Sequence, residues 1–177
     1  TTGDFNTAFG TSALGANTTA DSNTAVGRNA LVANTTGTEN VSLGSLSSDA
    51  GTIASYNVAV GHGALTTNVA SDKNTAIGHS ALASLSASSQ ADGFNVAVGY
   101  VAGAAITTGT SNVLVGVGAG DAITTADNNT AVGHLSLSAN TTGTRNTALG
   151  ALALDENTTA NDNTAVGKSS LSSNTTG

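Results

Sequence analysis

The side chains of this chain best suited to bind a metal or exchange a proton near neutral pH are three histidines, each directly after a glycine: Gly61-His62, Gly78-His79 and Gly133-His134. His62 and His79 are 17 residues apart, the spacing of an internal repeat in which all three hold the same place. Imidazoles on neighbouring repeats would stack within about 5 Å and could form a metal-binding or pH-responsive set. The same place also holds Thr11, Arg28, Ser45, Tyr100, Val117, Ala151 and Lys168. That variability is expected of an ordinary outward column, so no metal site is assigned. Acid/base work on a sugar would need two carboxylates in separated environments. The adjacent pair Asp155-Glu156 offers only a solvated turn, and Asp4, Asp21, Asp72 and Asp127 also fall in turn-like stretches. There is no P-loop, G-x-S-x-G, H-E-x-x-H or G-G-x-G-x-D calcium repeat. The expectation is therefore no enzyme, no catalytic residue and no cofactor.

Thr-Thr pairs recur at 18–19, 35–36, 107–108, 124–125, 141–142, 158–159 and 175–176, which raises ice binding through an ordered threonine array. Adjacent residues of a strand face opposite ways, so each pair supplies one outward column. The other local signal is a longer repeat that places four extra residues within 83–94, where Gln90, Asp92 and Phe94 are the candidate exposed recognition residues.

Composition narrows the classes further. The 177 residues include no Pro, Cys, Met or Trp, 3% aromatic and 8% charged residues, which excludes disulfide frameworks, cysteine-based zinc sites and thiol nucleophiles. Absence of Cys is compatible with an extracellular location. Four cationic side chains, Arg28, Lys73, Arg145 and Lys168, stand against eleven acids, a net charge of −7 that leaves no basic surface for nucleic acid. The most apolar stretch, 113–122, is broken by Gly116, Gly118, Gly120 and Asp121, so no membrane insertion by this segment is expected.

The elements that position these residues come from one repeat. A word Asn-Thr/Val-small-aliphatic-Gly begins at Asn6, Asn23, Asn40, Asn57, Asn74, Asn95, Asn112, Asn129, Asn146 and Asn163, with spacings of 17 eight times and 21 once. Counting Asn as place 1, place 5 is always Gly: Gly10, Gly27, Gly44, Gly61, Gly78, Gly99, Gly116, Gly133, Gly150 and Gly167. Place 4 is never polar, and place 2 alternates between Thr and Val. This period of two predicts a strand with places 2 and 4 toward the core and the small residue at place 3 outward. Places 9 and 12 change together: Leu with Asn in most copies, Gly103 with Ile106 and Gly120 with Ile123 in two, as if a shared interior volume is kept.

A 17-residue unit with so few large apolar groups cannot bury its own face and must stack on its neighbours. The fold class expected is all-β: a parallel β-solenoid, or β-roll, of ten coils of about 17 residues, each with two or three short strands. The whole chain, 1–177, reads as one repeat array, expected to be a segment of a longer fibrous protein. Gly at place 5 would turn a corner, places 15–17 would form a turn, and the ten asparagines would stack as a hydrogen-bonded ladder. Variable places 6, 7, 10 and 16 would decorate the outside. The core is thin, so association of several chains is expected to supply further burial.

Segments such as Asn57-Val58-Ala59-Val60-Gly61-His62, Asn74-Thr75-Ala76-Ile77-Gly78-His79 and Asn95-Val96-Ala97-Val98-Gly99-Tyr100 resemble the S-V-A-I-G-type repeats in the heads of trimeric autotransporter adhesins, a left-handed parallel β-roll family. They are also similar to repeat arrays of phage tail fibres. The resemblance covers all ten copies and implies a homotrimer of rolls on a bacterial cell surface or virion. The function it implies is a structural section of an extracellular fibre with an adhesion or display role, its partners being further copies of itself, in a trimer or head-to-tail filament, and a host receptor, glycan or matrix. Alternatives from other classes are a ligand-binding solenoid, such as an ice-binding protein, and a phage tail-fibre shaft for receptor attachment.

Overall fold

The computed structural model describes residues 2–86 and 90–175; Thr1, 87–89, Thr176 and Gly177 lie outside the described residues, and with them part of the four-residue insertion and the second threonine of the pair 175–176. The chain is a parallel β-solenoid. Ten three-residue strands, Thr7–Phe9, Thr24–Val26, Val41–Leu43, Val58–Val60, Thr75–Ile77, Val96–Val98, Val113–Val115, Thr130–Val132, Thr147–Leu149 and Thr164–Val166, form one sheet in chain order. Every pair is parallel and in register by place: Thr7 opposite Thr24, Ala8 opposite Ala25, Phe9 opposite Val26. The same register holds across the long repeat, where Thr75 faces Val96. β-Branched residues at places 2 and 4 suit this short extended segment.

Only one strand per coil belongs to this sheet, fewer than the two or three expected, and the dihedral angles explain why. Three places per coil, 7, 9 and 17, adopt left-handed backbone conformations, as at Ser12 (φ 58°), Leu14 (φ 52°) and Ser22 (φ 59°), and each interrupts extended pairing. The turn from place 5 to place 12 closes on itself with alternate amides: Ala13 N–H to Gly10 carbonyl at 3.2 Å, Gly15 to Ser12 at 3.1 Å, Asn17 to Leu14 at 3.1 Å. The intervening amides reach the next coil, Leu14 N–H to Ala30 carbonyl and Ala16 N–H to Val32 carbonyl, both 3.0 Å. The turn backbone is thereby satisfied without a second strand.

The faces of the strand are the reverse of the sequence expectation. Place 3 is the buried one: Ala25, Ala76, Ala97, Ala131 and Ala148 are fully buried, while places 2 and 4 point outward. The interior is narrow and already filled by Leu at place 9, as Leu31, Leu65, Leu82, Leu137 and Leu154, and by Asn at places 1 and 12, which leaves room for a methyl group at place 3. The one large residue at place 3, Leu114, occurs where the flanking place-9 residues are glycine. A Cβ on Gly120 would sit 2.8 Å from Leu114 Cδ2, and one on Gly103 2.8 Å from Leu114 Cδ1. Leu114 thus shares with Ile106 and Ile123 the volume that those two glycines vacate.

The third coil replaces apolar interior residues by Ser42, Ser47 and Ser48, all buried. Ser42 Oγ hydrogen-bonds the Ser47 carbonyl at 2.8 Å and the Ser47 hydroxyl at 2.5 Å, so these two side chains satisfy each other. This polar layer divides the apolar core into a small cluster around Leu14 and Leu31 and a large one from Ala59 to Ala165.

Candidate functional site

The inner columns hold the array together. At each of nine steps along the sheet the backbone N–H of one place-1 asparagine donates to the Oδ1 of the asparagine before it, from Asn23 to Asn6 at 2.9 Å through Asn163 to Asn146 at 3.0 Å. The Nδ2 donates across the coil to the carbonyl 14 residues on, as Asn112 does to Ala126 at 2.9 Å and Asn129 to Gly143 at 3.0 Å. An asparagine supplies acceptor and donor at once from one short side chain, which Asp or Leu of similar volume cannot. Place 12 carries a partial second column, Asn174 to Asn157 at 3.3 Å and Asn157 to Asn140 at 3.0 Å. Where Gly51 takes this place the column is broken, and the Oδ1 of Asn34, one coil earlier, is buried without a partner.

The place-5 glycines have φ between +123° and +143°. A Cβ on Gly10 would fall 2.6 Å from the Gly27 carbonyl oxygen, so both the dihedral and the spacing between coils require glycine there.

Place 16, read from sequence as decoration, turns out to be structural. Asp21 Oδ1 accepts the Asp4 N–H at 2.7 Å, Asp72 Oδ1 the Ser55 N–H at 2.7 Å, Asp127 Oδ1 the Thr110 N–H at 2.6 Å, and Asn161 Oδ1 the Thr144 N–H at 2.7 Å. These side chains cap amides of the preceding coil. The place-13 threonines donate their hydroxyls along the stack, Thr107 to the Thr124 carbonyl and Thr124 to the Thr141 carbonyl, both 3.1 Å. In the pairs 35–36, 107–108, 124–125, 141–142 and 158–159 the second residue is the outward one, Thr18 and Thr19 are both exposed, and Ile53 and Ala70 interrupt the place-14 column.

Three outward features remain. The first is the outer face of the sheet, a stripe of Thr or Val at place 2 and Val, Leu, Ile or Phe at place 4 that runs its full length. Phe9 is 75% exposed, Val166 66%, and Leu43, Ile77 and Leu149 are exposed as well. Sequence reading missed this face because it had turned it inward. The second is the place-6 column, where the rings of His62 and His79 stack with centroids 5.2 Å apart and planes 13° apart, and Tyr100 stacks on His79 at 5.3 Å and 23°. His134 lies in the same column between Val117 and Ala151.

The third feature borders the insertion, where Ser71–Asp72 and Ala91–Asp92 pair as a short parallel sheet. Gln90, Asp92 and Phe94 are all exposed there. Lys73 Nζ donates to Asp92 Oδ2 at 2.8 Å and stands 5.3 Å from the Phe94 ring centroid. The hydrogen bond to Asp92 raises the Lys73 pKa, desolvation opposing it. Arg145 makes a two-pronged contact with Asp162, at 2.6 and 2.9 Å, whose hydrogen bonding lowers the Asp162 pKa; both are well exposed, so the pair adds little stability. Burial raises the carboxyl pKa of Asp121, in the turn of the Leu114 coil, against hydrogen bonds from backbone amides of Asp121 and Ala122. Among the described residues no group of three or more His, Asp or Glu side chains gathers in metal-binding geometry.

The fold and these columns define a parallel β-solenoid built by amide ladders. Comparison with protein-family models, with curated proteins and with solved structures finds no match to this chain. No helix among the described residues is long and apolar enough to cross a membrane.

Proposed function

We propose that this array is a rigid section of an extracellular fibre, on a bacterial surface or a virion, whose copies associate side by side, three around a common axis, with adhesion or display as the role. The observation that carries the reading is the outward apolar stripe of places 2 and 4, repeated on all ten strands. Ten rungs at about 4.8 Å make a stripe roughly 45 Å long. Five place-4 side chains are exposed and five partly so, and covering them is worth about 0.5–1 kcal/mol each, on the order of 5–10 kcal/mol in all. That is comparable to the roughly 4–15 kcal/mol that association costs in lost freedom, so the full length of the stripe must be engaged. Three chains and the extracellular setting follow from the resemblance of the repeat words, while stiffness and length follow from the stacked coils.

Sedimentation equilibrium on the 177-residue chain, alongside the variant Val98→Glu/Val115→Glu, tests the reading. A mass near three chains that falls toward one in the variant supports it; a monomeric parent chain overturns it. The regular stripe also suits a second reading, ordered water on a flat face, since place 2 is Thr in six of ten copies. Place 4 varies from Val to Phe, which roughens the face and favours a protein partner. A monomer that inhibits ice recrystallisation at micromolar concentration would establish the second reading.

A further inference from the structure

We propose that His62 and His79 form a two-histidine site for a borderline divalent transition-metal ion such as Zn2+, bridging the fourth and fifth coils. Both side chains are exposed, and both follow place-5 glycines whose strands, Val58–Val60 and Thr75–Ile77, are paired in register. Their rings already lie 5.2 Å apart and 13° from parallel, so the backbone has brought two imidazoles together before any ion arrives. Two imidazole nitrogens at about 2.0–2.1 Å from one ion must approach to roughly 3–3.5 Å of each other. Stacked, solvent-exposed rings reach that by leaning their edges together through side-chain rotation alone, and water completes the coordination. Imidazole is a ligand suited to Zn2+, Ni2+ and Cu2+. The net charge of −7 favours cations over the whole surface, and the charged members of the same column, Arg28 and Lys168, belong to the second and tenth coils.

The chain contains its own control. His134 occupies the same place of the eighth coil with Val117 and Ala151 as column neighbours, so it has the same backbone setting and no second imidazole. The second ligand of the pair acts at high effective concentration, which lowers the half-saturating metal concentration relative to a single histidine by at least about tenfold.

The test is a Zn2+ titration of the 177-residue chain at pH 7.5, followed by the imidazole proton signals of the three histidines in NMR. The expected result is that His62 and His79 shift together at a concentration at least tenfold below that for His134. In His62→Gln the midpoint of His79 rises to that of His134, and in His79→Gln the midpoint of His62 does the same. Parallel titration of all three histidines overturns the proposal, as does a His79 midpoint unchanged in His62→Gln. His134→Gln leaves the pair's midpoint where it was.

Discussion

Truncation of one rung of the asparagine ladder, Asn112→Ala, provides a severe test of the account of stability given above. Asn112 is fully buried; its Oδ1 accepts the Asn129 backbone N–H at 3.0 Å and its Nδ2 donates to the Ala126 carbonyl at 2.9 Å. Asn95 Oδ1 keeps the backbone N–H of residue 112 as a donor after the change. The Asn129 N–H and the Ala126 carbonyl are then stranded in a closed interior. At about 1–3 kcal/mol for each unsatisfied buried group, the loss is roughly 2–6 kcal/mol, the smaller side chain adding a cavity term. For a chain of this length a kcal/mol moves the thermal midpoint by about 2–4 °C, so a drop of about 10 °C is expected by circular dichroism. Amide exchange should accelerate most at Asn129 and in the coils on either side, because each coil contacts only its neighbours. The reference is Thr125→Ala, an exposed residue of the same coil, with an expected effect below about 0.5 kcal/mol. If the two variants melt within a degree of each other, the amide ladder does not hold the coils and the reasoning fails.

Other outcomes follow from the packing. Leu114→Ala should cost about 3–5 kcal/mol and Gly120→Ala a comparable or smaller amount, but the double variant should fall short of the sum by more than about 1 kcal/mol, because each change makes room for or fills the other; strict additivity in denaturant unfolding would refute the shared volume. Asp121→Asn should raise the midpoint at pH 7 and leave it unchanged at pH 3. The Asp121 carboxyl has its pKa raised above the ordinary 3.8 by burial, so its contribution to stability is complete below the unfolded-state value and is lost as pH rises through the folded-state value; equal shifts at both pH values would show that charge is not the cause. Gly51→Asn should stabilise the third coil by giving Asn34 Oδ1 the amide donor it lacks, provided that Ser48 Oγ, 3.1 Å from the new Cβ, and the Asn68 and Ser48 carbonyls at 3.3 Å yield by tenths of an ångström; a lower midpoint would mean that this crowding outweighs the new hydrogen bond.

The period, the stacking and the parallel strand at places 2–4 were legible because they are properties of spacing, and a ten-fold repeat of Asn and Gly leaves little choice of register. The inward face was not. Alternation separates two faces but does not say which is inside, and the usual rule that larger apolar residues go in fails when Leu at place 9 and Asn at places 1 and 12 have taken the space. One signal could have corrected it: Leu114 stands at place 3 between copies whose place 9 is Gly103 and Gly120, a second half of the exchange recognised only at place 12. Ser42 and Ser47 gave a similar hint, since two serines entering the interior of one copy together read as mutual partners. The capping role of Asp21, Asp72 and Asp127 was out of reach, because a carboxylate in solvent and one accepting an amide from the coil below have the same sequence signature.

The asparagine column is an arrow as well as a ladder. Every rung donates its amide toward the earlier coil and offers its Oδ1 toward the later one, from Asn6 to Asn163. A cut between two coils therefore exposes, at this column, an amide donor on one face and a side-chain oxygen on the other, while the rest of the section carries backbone donors and acceptors on both faces. Two such rods joined along their axis continue this column when they point the same way; reversed, Oδ1 would face Oδ1 there. A fibre made from this repeat is consequently vectorial, and its two tips are different chemical objects although every coil between them is nearly the same.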